Sequence, residues 1–114
     1  MNLAKEMVGS ALFVAVEAPR IDAASAIQFK DTMREISGET DGKIILDLSM
    51  VDFIDSSGLG AIVAAMKQMG PERRLELASL SSTVAKVFSL TRMDSVFTIY
   101  PDRDSAVANA SLVS

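Results

Sequence analysis

The residues of this chain best placed to do chemistry stand six in a row, Asp55-Ser56-Ser57-Gly58-Leu59-Gly60. They follow an apolar run ending at Ile54 and precede an amphipathic stretch, which is the position of a strand-to-helix turn. Asp and Ser are ordinary there, because their side-chain oxygens accept from amides that a helix start leaves unpaired. The glycines ask for more. In the first turns of a helix each costs about 0.5–1 kcal/mol relative to alanine, and capping does not need them. Either they keep the ground beside the serines clear for another protein, or they let the helix pack closely on its sheet. A serine at this point is also a favourable phosphate acceptor. Phosphoserine adds about −1.5 to −2 charge, and the amides and positive dipole end of a helix N-terminus stabilise it. Modification would change the surface beside Asp55 while leaving the fold intact, which makes a switch without catalysis.

Composition removes most other chemistry. The chain contains no histidine and no cysteine. Ser-His-Asp triads, the usual zinc ligands, thiol nucleophiles, disulfides and iron–sulfur clusters go with them. Acidic residues number 15 against 11 basic, for a net charge of −4, and no basic patch suits nucleic acid or an anionic membrane. At 114 residues and 49% apolar content the chain fits a single domain over 1–114 with a real core. The apolar runs Ala11–Val16 and Leu59–Met66 fall well short of the roughly 20 residues that span a bilayer. Glu6 stands where a secretory signal would carry basic charge, so a soluble cytoplasmic protein is expected.

The elements that must position the acceptor segment alternate along the chain. Residues 3–8 and 11–17 suggest a strand pair turning at Gly9-Ser10, with Val14 and Val16 on one face and Phe13 and Ala15 on the other. Asp22 suits the N-cap of a helix whose inward face is Ala26, Phe29, Met33 and Ile36. Lys43–Leu48 has the continuous apolar run of a strand covered on both faces. After the acceptor segment, Leu59, Ile62, Val63, Met66 and Met69 repeat at helical spacing until Gly70-Pro71. Arg74–Ala78 alternates around Leu75 and Leu77. A short helix capped by Ser81 or Ser82 follows, then a strand over Val96–Tyr100 and a last helix over 102–112 facing inward with Ala106, Val107 and Ala110. Such alternation predicts an α/β fold, a mixed central sheet of four to five strands with about four helices. Parallel strands with right-handed crossovers would gather the loops at Asp22, Asp55–Gly58 and Ser81-Ser82 on one edge, where ligands and partners of open sheets meet.

The segment Ile44–Met69, centred on Asp55-Ser56-Ser57-Gly58-Leu59-Gly60, resembles the anti-sigma factor antagonists of the STAS family, and the resemblance extends over nearly the whole chain. It implies that Ser56 is phosphorylated by a serine kinase that is also the anti-sigma factor. Unphosphorylated antagonist binds that kinase and frees the sigma factor, phosphorylated antagonist lets go, and a PP2C-type phosphatase resets the cycle. The kinase supplies ATP and magnesium, so the chain itself needs no cofactor. Asp55 is then expected to cap the helix and shape the acceptor site. Ser57, Gly58 and Gly60 would form the docking surface, with Asp22 on the same edge. Two positions depart from the family pattern: Ala18-Pro19-Arg20 stands where glycine is frequent before the capping aspartate, and Ser82 stands where proline often opens the third helix.

Other readings fit less of the sequence. Gly58-Leu59-Gly60 lacks the third glycine of a dinucleotide fingerprint, since Val63 occupies its place. A nucleophile elbow needs glycine two before the serine and a histidine elsewhere. Asp47, Asp52 and Asp55 could group around magnesium, but a strand end, a turn and a cap account for them. A receiver-type domain phosphorylated on Asp47 would need an acidic pair after its first strand, and residues 11–22 offer only Glu17 and Asp22. A STAS sensor or scaffold that is never phosphorylated differs from the switch only in whether a kinase modifies Ser56.

Overall fold

The computed structural model describes residues 1–112, with side chains through Ala110. Gly9, at φ 60°, reverses the chain so that β1 (Asn2–Val8) and β2 (Ala11–Glu17) pair antiparallel from Val8–Ala11 to Asn2–Glu17. From β2 onward every pairing in the main sheet is parallel. It runs from β2 to β4 (Ile44–Asp47), then β6 (Leu75–Ala78), then β7 (Ile99–Tyr100), in the order β1-β2-β4-β6-β7. The α/β fold with a five-stranded mixed sheet is the one expected. A second sheet of two residues per strand, β3 (Arg20–Ile21) beside β5 (Phe53–Ile54), was not anticipated.

The helices are α1 (Ala26–Ser37), α2 (Ser56–Met69), α3 (Ser82–Leu90) and α4 (Arg103–Leu112). One face of the sheet, with Leu12, Val14, Val16, Ile44, Leu46 and Leu77, buries against Phe29 and Met33 of α1, Ile62 of α2, and Val84 and Phe88 of α3. The other face, with Ala11, Phe13, Ile45 and Ala78, packs against Ala106 and Ala110 of α4. Three successive helices share one face because the strand order never reverses, each crossover stepping the same way. The sheet therefore lacks the switch-point crevice where open α/β sheets usually hold ligands, and its carboxyl edge is a rim of loops.

Local details correct the expectation in three places. The inward face of α2 is Gly58, Ala61, Ile62, Ala65 and Met69, while Leu59, Val63 and Met66 are only half-buried. The cap of α1 is Ser25, not Asp22. Of the strand expected over Val96–Tyr100 only Ile99–Tyr100 pairs. A 3-10 turn at Met93–Ser95, entered through Arg92 at φ 60°, brings Phe97 edge-on to Phe88 at 6.0 Å instead.

Glu76, expected on an alternating strand, is 3% exposed on the α4 side. The Tyr100 hydroxyl donates to its Oε1 at 2.8 Å, and Lys43 Nζ lies 3.2 Å from the same oxygen. Burial and the Glu76 carboxylate push the Tyr100 phenol up to about 12 from its ordinary 10.0. The sign is that of a raised pKa: this contribution to stability is complete below pH 10.0 and is lost as pH rises through about 12. Titration of the phenolate absorbance should show this late ionisation, since Tyr100 is the only tyrosine. Glu76→Gln should move it back toward the ordinary value, and an unmoved midpoint would count against the pairing.

Candidate partner-docking site

The segment Asp55–Gly60 is built on one carboxylate. Asp55, extended at φ −103° and ψ −175°, is the N-cap of α2, and its Oδ1 accepts from the Gly58 amide at 2.9 Å. Its other oxygen, Oδ2, accepts from the Ala23 amide at 3.2 Å, so one side chain joins the helix start to the loop after β3. Backbone bonds reinforce the joint. Pro19 carbonyl accepts from Asp52 and Phe53 at 2.8 and 3.2 Å, and the Asp55 amide donates to Ile21 carbonyl at 3.4 Å. The third loop arrives through Ser81, which caps α3 by accepting from Val84 and donates its hydroxyl to Val51 carbonyl at 3.1 Å. Of the three loops expected on one edge, those at Asp22 and Asp55–Gly58 meet directly, and the Ser81 loop joins the turn that leads into β5.

On this rim Ser56 is the first residue of α2 and is exposed, as is Ser57. Among the described residues neither of their amides has an acceptor, so the helix start presents donors and a positive dipole end beside the Ser56 hydroxyl. Gly60 is exposed, and a Cβ there would have nothing within 4 Å. Gly58 is different. It is buried, and an added Cβ would fall 2.0 Å from the Ile21 carbonyl oxygen. Its expected place in the docking surface is corrected: Gly58 serves the close packing of α2 on β3, the alternative its position left open.

Asp22 lies half-buried on the same rim. Its Oδ2 accepts from Arg20 Nε at 3.2 Å, and its Oδ1 accepts from the Ser25 hydroxyl at 3.2 Å. The Arg20 guanidinium, followed by the Ser25 contacts, holds the Asp22 carboxyl below its ordinary 3.8. The guanidinium also stacks on the Phe53 ring at 4.4 Å. Sequence reading marks Arg20 only as part of a departure from the family pattern and gives Phe53 no role. They sit in two-residue strands too short to show any periodicity, and the one visible hint is that Arg20 is the sole cation in the loops 18–25, 48–57 and 79–82. Asp47 ends β4 with its Oδ1 accepting from the Ser49 amide at 2.9 Å, a turn-forming role. No group of three acidic or other metal-binding side chains converges among the described residues.

Losing the cap should be measurable. Asp55→Ala removes acceptors from two amides and is expected to lower stability by about 1–2 kcal/mol. Denaturant unfolding checks it, and a loss under a few tenths would mean the joint carries little.

A model described as the STAS domain matches residues 2–106 of the chain. The chain belongs to the STAS domain family. BtrV of Bordetella bronchiseptica, proposed to be an anti-sigma factor antagonist, is 27% identical to this STAS domain over 89 residues, 77% of each chain. A Thermotoga maritima crystal structure with the same proposed assignment is 26% identical at TM-score 0.82, over 95% of this chain and 93% of that one. SpoIIAA, an anti-sigma factor antagonist, shares the fold in its unphosphorylated form at TM-score 0.73 and 20% identity, over 95% of each chain. The phosphorylated form, from Bacillus, matches at TM-score 0.67 and 20% identity over 95% of this chain and 98% of that one. This STAS domain is thus similar to anti-sigma factor antagonists along most of its length. No helix among the described residues is long and apolar enough to cross a membrane.

Proposed function

We propose that this STAS domain is an anti-sigma factor antagonist that works by partner switching. It binds a serine kinase that doubles as the anti-sigma factor, is released when that kinase phosphorylates Ser56, and is reset by a PP2C-type phosphatase. It acts in the cytoplasm by binding rather than by turnover, and the kinase brings the nucleotide and metal. One observation carries this reading: Ser56 is exposed at the first position of α2, beside a capping aspartate that ties the helix start to the loop after β3. A kinase can reach it, and a phosphoryl group there meets open amides without disturbing the core. SpoIIAA has been described in both phosphorylation states, which supports the fold's tolerance of the modification.

Incubation of the full chain with candidate kinase partners and ATP, followed by mass spectrometry, should place one phosphate on Ser56. Ser57→Ala should still be labelled and Ser56→Ala should not. Labelling confined to Ser57 would move the acceptor by one residue, and labelling of neither by any cognate kinase would leave the sensor or scaffold reading in its place.

A further inference from the structure

At the opposite end of the sheet from Ser56, the loops at the amino ends of the parallel strands and Asn109 of α4 bound a cavity of about 520 Å³. That volume is in the range of small-molecule sites. Its wall includes the buried Glu76, whose two oxygens are treated differently. Oε1 holds the Tyr100 hydroxyl and faces Lys43 Nζ, which itself donates to Asn109 Oδ1 at 2.9 Å. Among the described residues Oε2 accepts no hydrogen bond; Arg74 lies 3.9 Å from it, beyond hydrogen-bonding distance, and the Arg74 side chain is 74% exposed. Among the described residues no fully enclosed side-chain oxygen or nitrogen lacks a partner, so Oε2 is the oxygen that opens on the cavity.

Lys43 answers the Glu76 charge through Oε1, but a carboxylate this far out of water still bears a cost while its second oxygen goes without a hydrogen bond. The neighbouring Arg73 does not answer it. Its guanidinium is committed to the Ser37 and Gly42 carbonyls at 2.9 and 3.2 Å, which fixes the cavity wall. What remains is a carboxylate oxygen and a loosely held guanidinium side by side at the mouth of a roomy cavity. Their complement is an ammonium and a carboxylate carried on one small molecule. We propose that this cavity binds a small zwitterion of the α-amino-acid class, its ammonium on Glu76 Oε2 and its carboxylate on the Arg74 guanidinium. The site shares no residue with the Ser56 rim, and the two readings stand or fall separately.

The chain has one tyrosine and no tryptophan, so tyrosine fluorescence of the full chain reports the Glu76 cluster alone. Titration with the free amino acids should give a saturable change for at least one of them. Its N-acetyl and methyl-ester derivatives should bind about tenfold more weakly or worse, each having lost one charged contact. Arg74→Ala, at an exposed position that leaves folding intact, should weaken binding similarly, as should Glu76→Gln, while Ser56→Ala should bind as the parent does. The proposal is overturned if no free amino acid saturates the signal, if blocked derivatives bind as tightly as the free compound, or if Arg74→Ala changes nothing.

Discussion

Phosphorylated on Ser56, the domain is expected to bind its kinase partner roughly two to three orders of magnitude more weakly than before, the equivalent of about 3–4 kcal/mol. The reason lies in the sparsely covered ground beside the hydroxyl. Gly60 offers no side chain and Ser57 a small one, so a partner's backbone can lie against the rim. A dianion there stands off that partner sterically and must lose its hydration in the interface, a cost for which the neutral hydroxyl has no counterpart. The nearby Asp55 carboxylate cannot relieve it. Ser56→Ala should hold the partner irrespective of kinase activity, and Ser56→Asp, with half the charge and less bulk, should weaken it at least about tenfold. Calorimetry with the isolated partner distinguishes the three forms. Equal affinity across them would refute the switch.

The second large effect separates two glycines that look alike in the sequence. Gly58→Ala drives a methyl to 2.0 Å from the Ile21 oxygen, a backbone atom held in the β3–β5 pairing. Relief requires moving α2 off the small sheet, and a loss of about 3 kcal/mol is expected. Gly60→Ala meets open space and should gain about 0.5–1 kcal/mol from helix propensity. Its added methyl nevertheless projects from the docking rim, so it should weaken partner binding even as it stabilises the fold. Thermal unfolding of both variants tests the contrast, and similar midpoints would mean that α2 packs less closely on β3 than described.

Where the sequence was informative, apolar residues carried a strong period. Ala26, Phe29, Met33 and Ile36 are large enough to mark the buried face of α1, and all four are buried. In α2 the same method pointed to Leu59, Ile62, Val63, Met66 and Met69, because it weighs bulk, and of these Ile62 and Met69 are buried. Elsewhere on that face the helix lies so close that Gly58, Ala61 and Ala65 fill the contact, and Leu59, Val63 and Met66 sit on its flanks. Small residues at helical spacing were the signal available. The β3–β5 pairing had none, being two residues long and formed by chain segments 33 residues apart in its Arg20–Phe53 register. Asp55 was legible as a cap from residue type and place alone. That its second oxygen would reach Ala23 depends on tertiary approach, and so does the burial of Glu76, whose partners Lys43 and Tyr100 come from neighbouring strands.

The unreversed strand order also bears on how the chain assembles during synthesis. Each strand after the first hairpin joins beside one already made, so the sheet can grow from a single margin as residues emerge. The fourth helix, α4, comes back to the first hairpin. Arg103 bonds Glu6 of the first strand and lies over the Phe13 ring at 4.8 Å, and Asn109 receives Lys43. Until α4 leaves the ribosome, Phe13 and Ile45 lack its cover, and the nascent domain is sticky on its back for that interval.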